Sequence, residues 1–100
     1  MELPVACTLS EAELRERRQS LLTFIRRSAV DVQPISNGYV YEFQASSDVF
    51  QQLCSLVDLE RQCCPFLTFK IAIEPQQPIR LEITGPAESI SVIADFFGVA

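Results

Sequence analysis

The sequence predicts a two-layer α+β sandwich, in which helices cover one face of a four-stranded antiparallel sheet in the element order αββαββα. Three observations indicate this fold. Apolar residues recur at helical spacing in three segments, they alternate with polar residues in four shorter segments, and short turns join those four segments into two pairs. Because 48% of the 100 residues are hydrophobic, we expect one ordered domain spanning residues 1–100.

Three helices follow from capping residues and apolar stripes. A capping box predicts a first helix from about Glu11 to Arg27. The second helix begins after the polar run Ser46-Ser47-Asp48 and ends at Cys63-Cys64-Pro65, since proline disfavours the helical conformation of the residue before it. A third helix opens near Pro86, and Gly98 is predicted to be its C-terminal cap.

Four strands follow from alternation of apolar and polar residues. The predicted pairs are residues 30–33 with 39–44, and residues 66–73 with 79–83. Asn37-Gly38 lies between the first two runs and is a strong hairpin signal, while the proline-containing turn Glu74 to Pro78 joins the second two. Pro34 cannot donate a backbone hydrogen bond, so the first strand is predicted to lie at an edge of the sheet.

Charge and composition exclude several classes of function. The net charge is −5 at pH 7, the wrong sign for binding nucleic acid phosphates or an anionic membrane surface. The chain has no histidine, which removes the commonest general base and the commonest metal ligand. Any chemistry must therefore come from cysteine, carboxylate, arginine or tyrosine side chains.

The compartment follows from the N-terminus and the cysteines. Residues 1–7 are too acidic for a signal peptide, and no later run reaches the roughly 18 apolar residues of a membrane span. We therefore expect a cytoplasmic protein. Because the cytoplasm is reducing, and because adjacent cysteines suit a disulfide framework poorly, we expect the four cysteines to be free thiols.

One segment carries chemistry: Cys63-Cys64-Pro65-Phe66, here called the thiol corner, between the second helix and the third strand. Glu60 and Arg61 lie within about one helical turn of Cys64, so a carboxylate and a guanidinium can both reach the thiols. An arginine favours a thiolate, whereas a glutamate and the C-terminal end of a helix disfavour it. The sequence leaves the balance open.

Two adjacent thiolates can bind a soft ion through long bonds. Zinc, copper(I), mercury and arsenite are the candidates, and Cys7 would supply a third sulfur if the first helix packs beside the thiol corner. Arg61 or Arg18 would then offset the negative charge, with Glu60 orienting the arginine. Arg18 lies on the apolar side of the first helix, four residues after Leu14. Two arrangements are predicted for its side chain: it extends along the apolar surface into solvent, or it pairs with a buried carboxylate such as Glu60.

Two other interpretations stay open beside the soft-ion or redox-sensitive thiol site. In the first, the cysteines are core residues of a non-enzymatic interaction module that forms a homodimer through an edge strand. Cys54 in particular shares a helical face with Phe50 and Val57 and is expected to be core. The second is a small thiol enzyme, which the absence of histidine and of a C-x-x-C motif disfavours.

The motifs as a whole resemble a family of short, uncharacterised bacterial proteins that carry an E-R-x-C-C-P-F motif. The matching segments are Cys7-Thr8-Leu9 before a helix with Glu13, Arg15 and Arg17, then Glu60 to Phe69, and Leu81 to Pro86. The resemblance covers nearly the whole chain. It implies a bacterial, cytoplasmic, single-domain protein in which Cys7, Glu60, Arg61 and the two corner cysteines belong together, and it implies no particular activity, cofactor or substrate.

Overall fold

The computed structural model describes residues 12–97 and confirms the predicted α+β fold and element order. Its elements are α1 (Ala12–Ser28), β1 (Asp31–Ile35), β2 (Gly38–Phe43), α2 (Ser47–Cys63), β3 (Thr68–Ala72), β4 (Ile79–Thr84) and α3 (Ile90–Phe97), with a short 3-10 turn, Ala87–Ser89, leading into α3. Ser10, which opens the predicted capping box of α1, and Gly98, the predicted cap of α3, lie outside the described residues.

The four strands form one antiparallel sheet in the order β1-β2-β4-β3. The two hairpins are joined through the central pair, in which Tyr41 of β2 lies opposite Leu81 of β4. β1 lies at an edge, as Pro34 predicts, and β3 forms the opposite edge.

The helices pack on one face of this sheet because the strands bury alternate residues. Tyr41, Phe43, Leu81 and Ile83 point into the core and have essentially no solvent exposure. The ring of Phe97 from α3 lies 6.5 Å from that of Tyr41, between ring centroids. α1 packs along α2, and α2 and α3 contact the sheet. The result is the predicted two-layer arrangement, with the thiol corner at the end of one helix of the helical layer.

The two hairpin turns differ in their backbone requirements. In the first, Ser36 and Asn37 form the turn and Gly38 already begins β2, one residue earlier than the Asn-Gly signal suggests. A Cβ on Gly38 would collide with the backbone carbonyl of Ile83 on the neighbouring strand, so only glycine allows this close approach. In the second turn, Gln76 adopts a left-handed φ of 61° directly after Pro75, which fits a type II turn.

Candidate functional site

Backbone hydrogen bonds fix the position of the thiol corner. The N–H of Cys64 donates to the carbonyl of Glu60 at 2.6 Å and ends α2. The N–H of Leu67 then donates to the carbonyl of Cys64 at 3.1 Å, which closes a tight turn across Pro65 and Phe66 and directs the chain into β3. The two cysteines are therefore held between a helix end and a strand start.

The buried face of α2 carries Leu53, Leu56, Leu59, Glu60 and Cys63, which recur at helical spacing. This face turns Cys54 away from the core. The prediction that Cys54 is a core residue is wrong, since its thiol is free and exposed. Phe50 and Val57, which lie close to Cys54 around the helix, are only half-buried and form the margin of this face.

Glu60 is fully buried and forms an ion pair with Arg18 of α1. The Arg18 Nε donates to Oε2 of Glu60 at 2.6 Å and a terminal nitrogen donates to Oε1 at 2.9 Å, a bidentate arrangement. This confirms the sequence-based pairing of Arg18 with a buried Glu60. The ion pair connects α1 to α2 across their interface, beside the thiol corner.

Both sulfurs of the thiol corner are buried, with Cys63 1% and Cys64 0% exposed. The Sγ atoms lie 3.8 Å apart, and the Arg18 guanidinium lies 3.9 Å from Cys64 Sγ. Cys63 is a free thiol, whereas Cys64 is disulfide-bonded. The expectation that every cysteine is a free thiol is therefore wrong for Cys64. Its partner sulfur does not belong to the described residues.

The structure brings together four of the six predicted site residues: Arg18, Glu60, Cys63 and Cys64. Arg61 is directed to solvent, where its guanidinium pairs with the exposed carboxylate of Asp58 at 2.8 Å. The predicted third sulfur, Cys7, lies outside the described residues. Within residues 12–97, no group of three or more cysteine, histidine or acidic side chains is arranged to hold a metal ion.

The chemistry available at this site is that of sulfur beside the guanidinium of a buried ion pair. Thiol and disulfide sulfurs exchange bonds through thiolate attack, and a guanidinium stabilises the negative charge that develops in that step. The disulfide state of Cys64 is the feature that the sequence analysis missed. The even number of cysteines was its only signal, because spacing alone does not assign disulfide pairs.

A second concave region lies on the opposite face of the sheet. It encloses about 360 Å³ and is lined by Gln33, Val40, Glu42, Ala72, Arg80 and Glu82. Its charges are mixed, and Arg80 approaches Glu42 at 3.9 Å. None of these lining residues is a cysteine, and the sheet lies between this region and the thiol corner. The concave region is therefore separate from the thiol corner.

Comparison with protein-family models, with curated proteins and with solved structures found no match to this chain. Over the described residues, every helix is too short or too polar to cross a bilayer. The geometry of the thiol corner is therefore the feature of the molecule that points to a function.

Proposed function

We propose that the protein is a small redox-responsive thiol protein in which Cys64 alternates between a disulfide and a thiol beside the free thiol of Cys63. Cys7 is the proposed disulfide partner, since it is the one cysteine of the sequence other than Cys54, Cys63 and Cys64. In the reducing direction a small thiol reductant becomes a disulfide, and the protein gains two thiols.

One observation carries this proposal: a buried free thiol lies 3.8 Å from a disulfide-bonded sulfur, beside a guanidinium. Simple core packing of cysteines requires neither the disulfide nor the charge. The buried Arg18–Glu60 pair also supports the proposal. Removing two charges from water costs free energy that a good geometry only offsets, so the stability of the fold alone does not require this pair. Such a pair next to a sulfur suits a site where charge develops during a reaction.

The reduced protein is also proposed to bind a soft ion, because the two corner sulfurs, which lie 3.8 Å apart in the disulfide state, can both reach one large, polarisable ion once they are thiolates. Zinc, copper(I), mercury and arsenite are the ions to compare, with Cys7 as the proposed third ligand. Protein reduced without chelator and analysed for bound metal should contain or take up one of these ions. A Cys63→Ala/Cys64→Ala double variant that binds the same amount of ion would contradict this part of the proposal.

Thiol counting tests the redox proposal directly. Unfolded protein that has not met a reductant should show two reactive thiols, Cys54 and Cys63, and reduction should raise the count to all four. In the folded protein only the exposed Cys54 should react at once. Four reactive thiols before any reduction, under aerobic purification, would contradict the proposal. The Cys54→Ala variant is the matched control, since it removes the exposed thiol alone.

A second candidate function is a homodimeric interaction module whose corner cysteines serve as core. The exposed side chains of Val30 and Ile35, at either end of edge strand β1, favour this candidate. We expect a dimer formed through β1 to dissociate in a Val30→Lys variant. Sedimentation equilibrium checks this, and a monomer at every concentration tested would exclude the candidate.

A further inference from the structure

The thiol corner contains both reactants of a thiol–disulfide exchange. Building on the redox function proposed above, we infer that Cys63 is the internal attacking thiol for the disulfide of Cys64. The corner then interconverts between two disulfides: the one that Cys64 forms with its present partner, and one between Cys63 and Cys64. This assigns Cys63 a role in the reaction that differs from that of a spectator thiol.

Burial gives the first argument. An external thiol must reach a disulfide sulfur in order to attack it, and Cys64 has 0% exposure. Cys63 is already inside, with its Sγ 3.8 Å away from that of Cys64. Cys54, the other free thiol among residues 12–97, is exposed on the far side of α2 and does not meet the corner. Attack from Cys63 therefore requires no opening of the core to a second molecule.

The exchange conserves atoms and electrons without an added oxidant or reductant. The Cys63 thiol loses its proton and the thiolate attacks Cys64 Sγ, which forms the Cys63–Cys64 bond. The bond between Cys64 and its present partner breaks, and the partner sulfur leaves with the electron pair. It takes up the proton that Cys63 lost. The number of thiols stays constant, and only their identity changes.

Arg18 lies beside the sulfur at which the exchange takes place. In the transition state the attacking and leaving sulfurs share most of the negative charge, with Cys64 Sγ between them, and the guanidinium lies 3.9 Å from that central atom. The bidentate bonds to Glu60 hold the guanidinium in this position. The ion pair thereby holds hydrogen-bond donors of the guanidinium beside the exchanging sulfur before the reaction begins, although Glu60 offsets the net charge of Arg18.

The position of the corner at the C-terminal end of α2 limits how much of the helix the exchange disturbs. Cys64 has left the helical conformation, with φ −123° and ψ 72°, while Cys63 is the last helical residue. A bond between adjacent cysteines distorts the peptide that joins them. Because that peptide lies at the helix end, the distortion would strain the last hydrogen bond, from Cys64 N–H to the Glu60 carbonyl, and leave the hydrogen bonds in the centre of α2 in place.

Peptide mapping of the unreduced protein tests the exchange. Protein stored at mildly acidic pH, which slows thiol–disulfide exchange in general, is brought to about pH 8 and sampled over time. Acid stops the exchange, the sample is unfolded and its free thiols are blocked with a maleimide, and trypsin then separates the cysteines. Cys63 and Cys64 share the peptide of residues 62–70, Cys54 lies in the peptide of residues 28–61, and Cys7 lies in the peptide of residues 1–15.

We expect a fraction of molecules to develop a 62–70 peptide that carries no maleimide and is lighter by two hydrogen atoms than its reduced form. An equal fraction of the former partner cysteine should become labelled, because its sulfur leaves as a thiol. The total thiol count should not change during the time course.

Cys63→Ala should abolish the change of labelling, and Cys54→Ala should leave it intact. Labelling that stays on Cys63 at every time point, in wild-type protein with an intact Cys64 disulfide, would overturn the inference while leaving the redox proposal standing. Absence of any disulfide at Cys64 would instead contradict the redox proposal itself. The wild-type time course decides between these results even if the Cys63→Ala variant fails to fold.

Discussion

The Arg18–Glu60 pair makes the interface between α1 and α2 depend on two charges. Glu60 is fully buried, and the side chain of Arg18 is 14% exposed. Removal of one partner leaves the other as an uncompensated charge in a medium that solvates it poorly. The pair is therefore a point of vulnerability, in addition to its position beside the sulfurs.

We expect Arg18→Met to lower the free energy of unfolding by about 3–5 kcal/mol, because it leaves the Glu60 carboxylate buried without its partner. The Arg18→Met/Glu60→Leu double variant should recover most of this loss. Urea unfolding of Arg18→Met, Glu60→Leu and the double variant measures the coupling free energy between the two side chains.

Arg61→Met is the matched control for this experiment, since Arg61 and Asp58 form an ion pair with both side chains mostly exposed. It should change the free energy of unfolding by less than about 0.5 kcal/mol. Equal losses in Arg18→Met and Arg61→Met would contradict the structural role assigned to the buried pair.

Tyr41 makes the free energy of unfolding depend on pH in the alkaline range. Burial raises the pKa of its phenol, the neighbouring Tyr39 raises it further, and Arg26 partly opposes both. The unfolded chain therefore loses this proton at lower pH than the folded protein does. The stabilisation is complete below about pH 10, where an exposed tyrosine titrates, and falls as the pH rises above that value.

We expect the free energy of unfolding to decline above about pH 10, and to decline less steeply in Tyr41→Phe, which has no proton to lose at this position. Urea unfolding at a series of pH values measures both slopes. The comparison concerns the slopes, so a constant loss from removal of the hydroxyl does not affect it. Identical slopes in the two proteins would argue against Tyr41 as the responsible group.

At the scale of elements, the contact between β2 and β4 limits which residue can begin β2. A side chain at Gly38 would meet the carbonyl of Ile83 and push the central strands apart. We expect Gly38→Ala to destabilise the protein by about 1–3 kcal/mol, the usual result of forcing a methyl group into a filled space. Thermal or urea unfolding measures this loss.

Ser36→Ala tests whether the hairpin turn itself is sensitive. Ser36 lies in the same turn but is exposed, so its substitution should change the free energy of unfolding by less than about 0.5 kcal/mol. A tolerated Gly38→Ala together with a damaging Ser36→Ala would show that the turn, and not the strand contact, requires the glycine.

Local patterns predict the elements because each one has a consistent period. Alternation in Tyr41 and Phe43 indicates a buried strand face, and the proline at position 34 indicates an edge. The edge of a buried helix face is less predictable than its centre, and Phe50 and Val57 of α2 are apolar yet only half-buried. The prediction that Cys54 is core depends on its position beside these two residues, and for this reason its predicted environment is wrong.

The sequence predicts where the candidate site lies and most of the residues that meet there. It does not predict the direction of the Arg61 side chain or the disulfide of Cys64. The spacing of Glu60 and the two corner cysteines placed them together, and the apolar side of α1 suggested Arg18 as a partner for Glu60. The orientation of Arg61 depends on competition with Asp58, which the spacing does not settle. The disulfide state of Cys64 depends on a sulfur outside its own segment, so no local pattern indicates it.

At the scale of the whole molecule, the disulfide at Cys64 restricts the unfolded chain. We expect reduction to lower the free energy of unfolding by about 2–4 kcal/mol, while the circular dichroism spectrum keeps its helical and strand content. In Cys64→Ala the added reductant should have no effect, and in Cys54→Ala it should have the same effect as in the wild type. The same free energy of unfolding with and without reductant in the wild-type protein would contradict this prediction.

The strand order β1-β2-β4-β3 also has a consequence for how the chain reaches its native state. Each hairpin pairs residues that are close in sequence, whereas the pairing of β2 with β4 closes a loop that contains α2 and β3. Closing that long loop costs entropy before the central contacts compensate for it. Substitutions at the β2–β4 contact are thus expected to slow folding, whereas substitutions confined to the outer edge of β1 mainly accelerate unfolding.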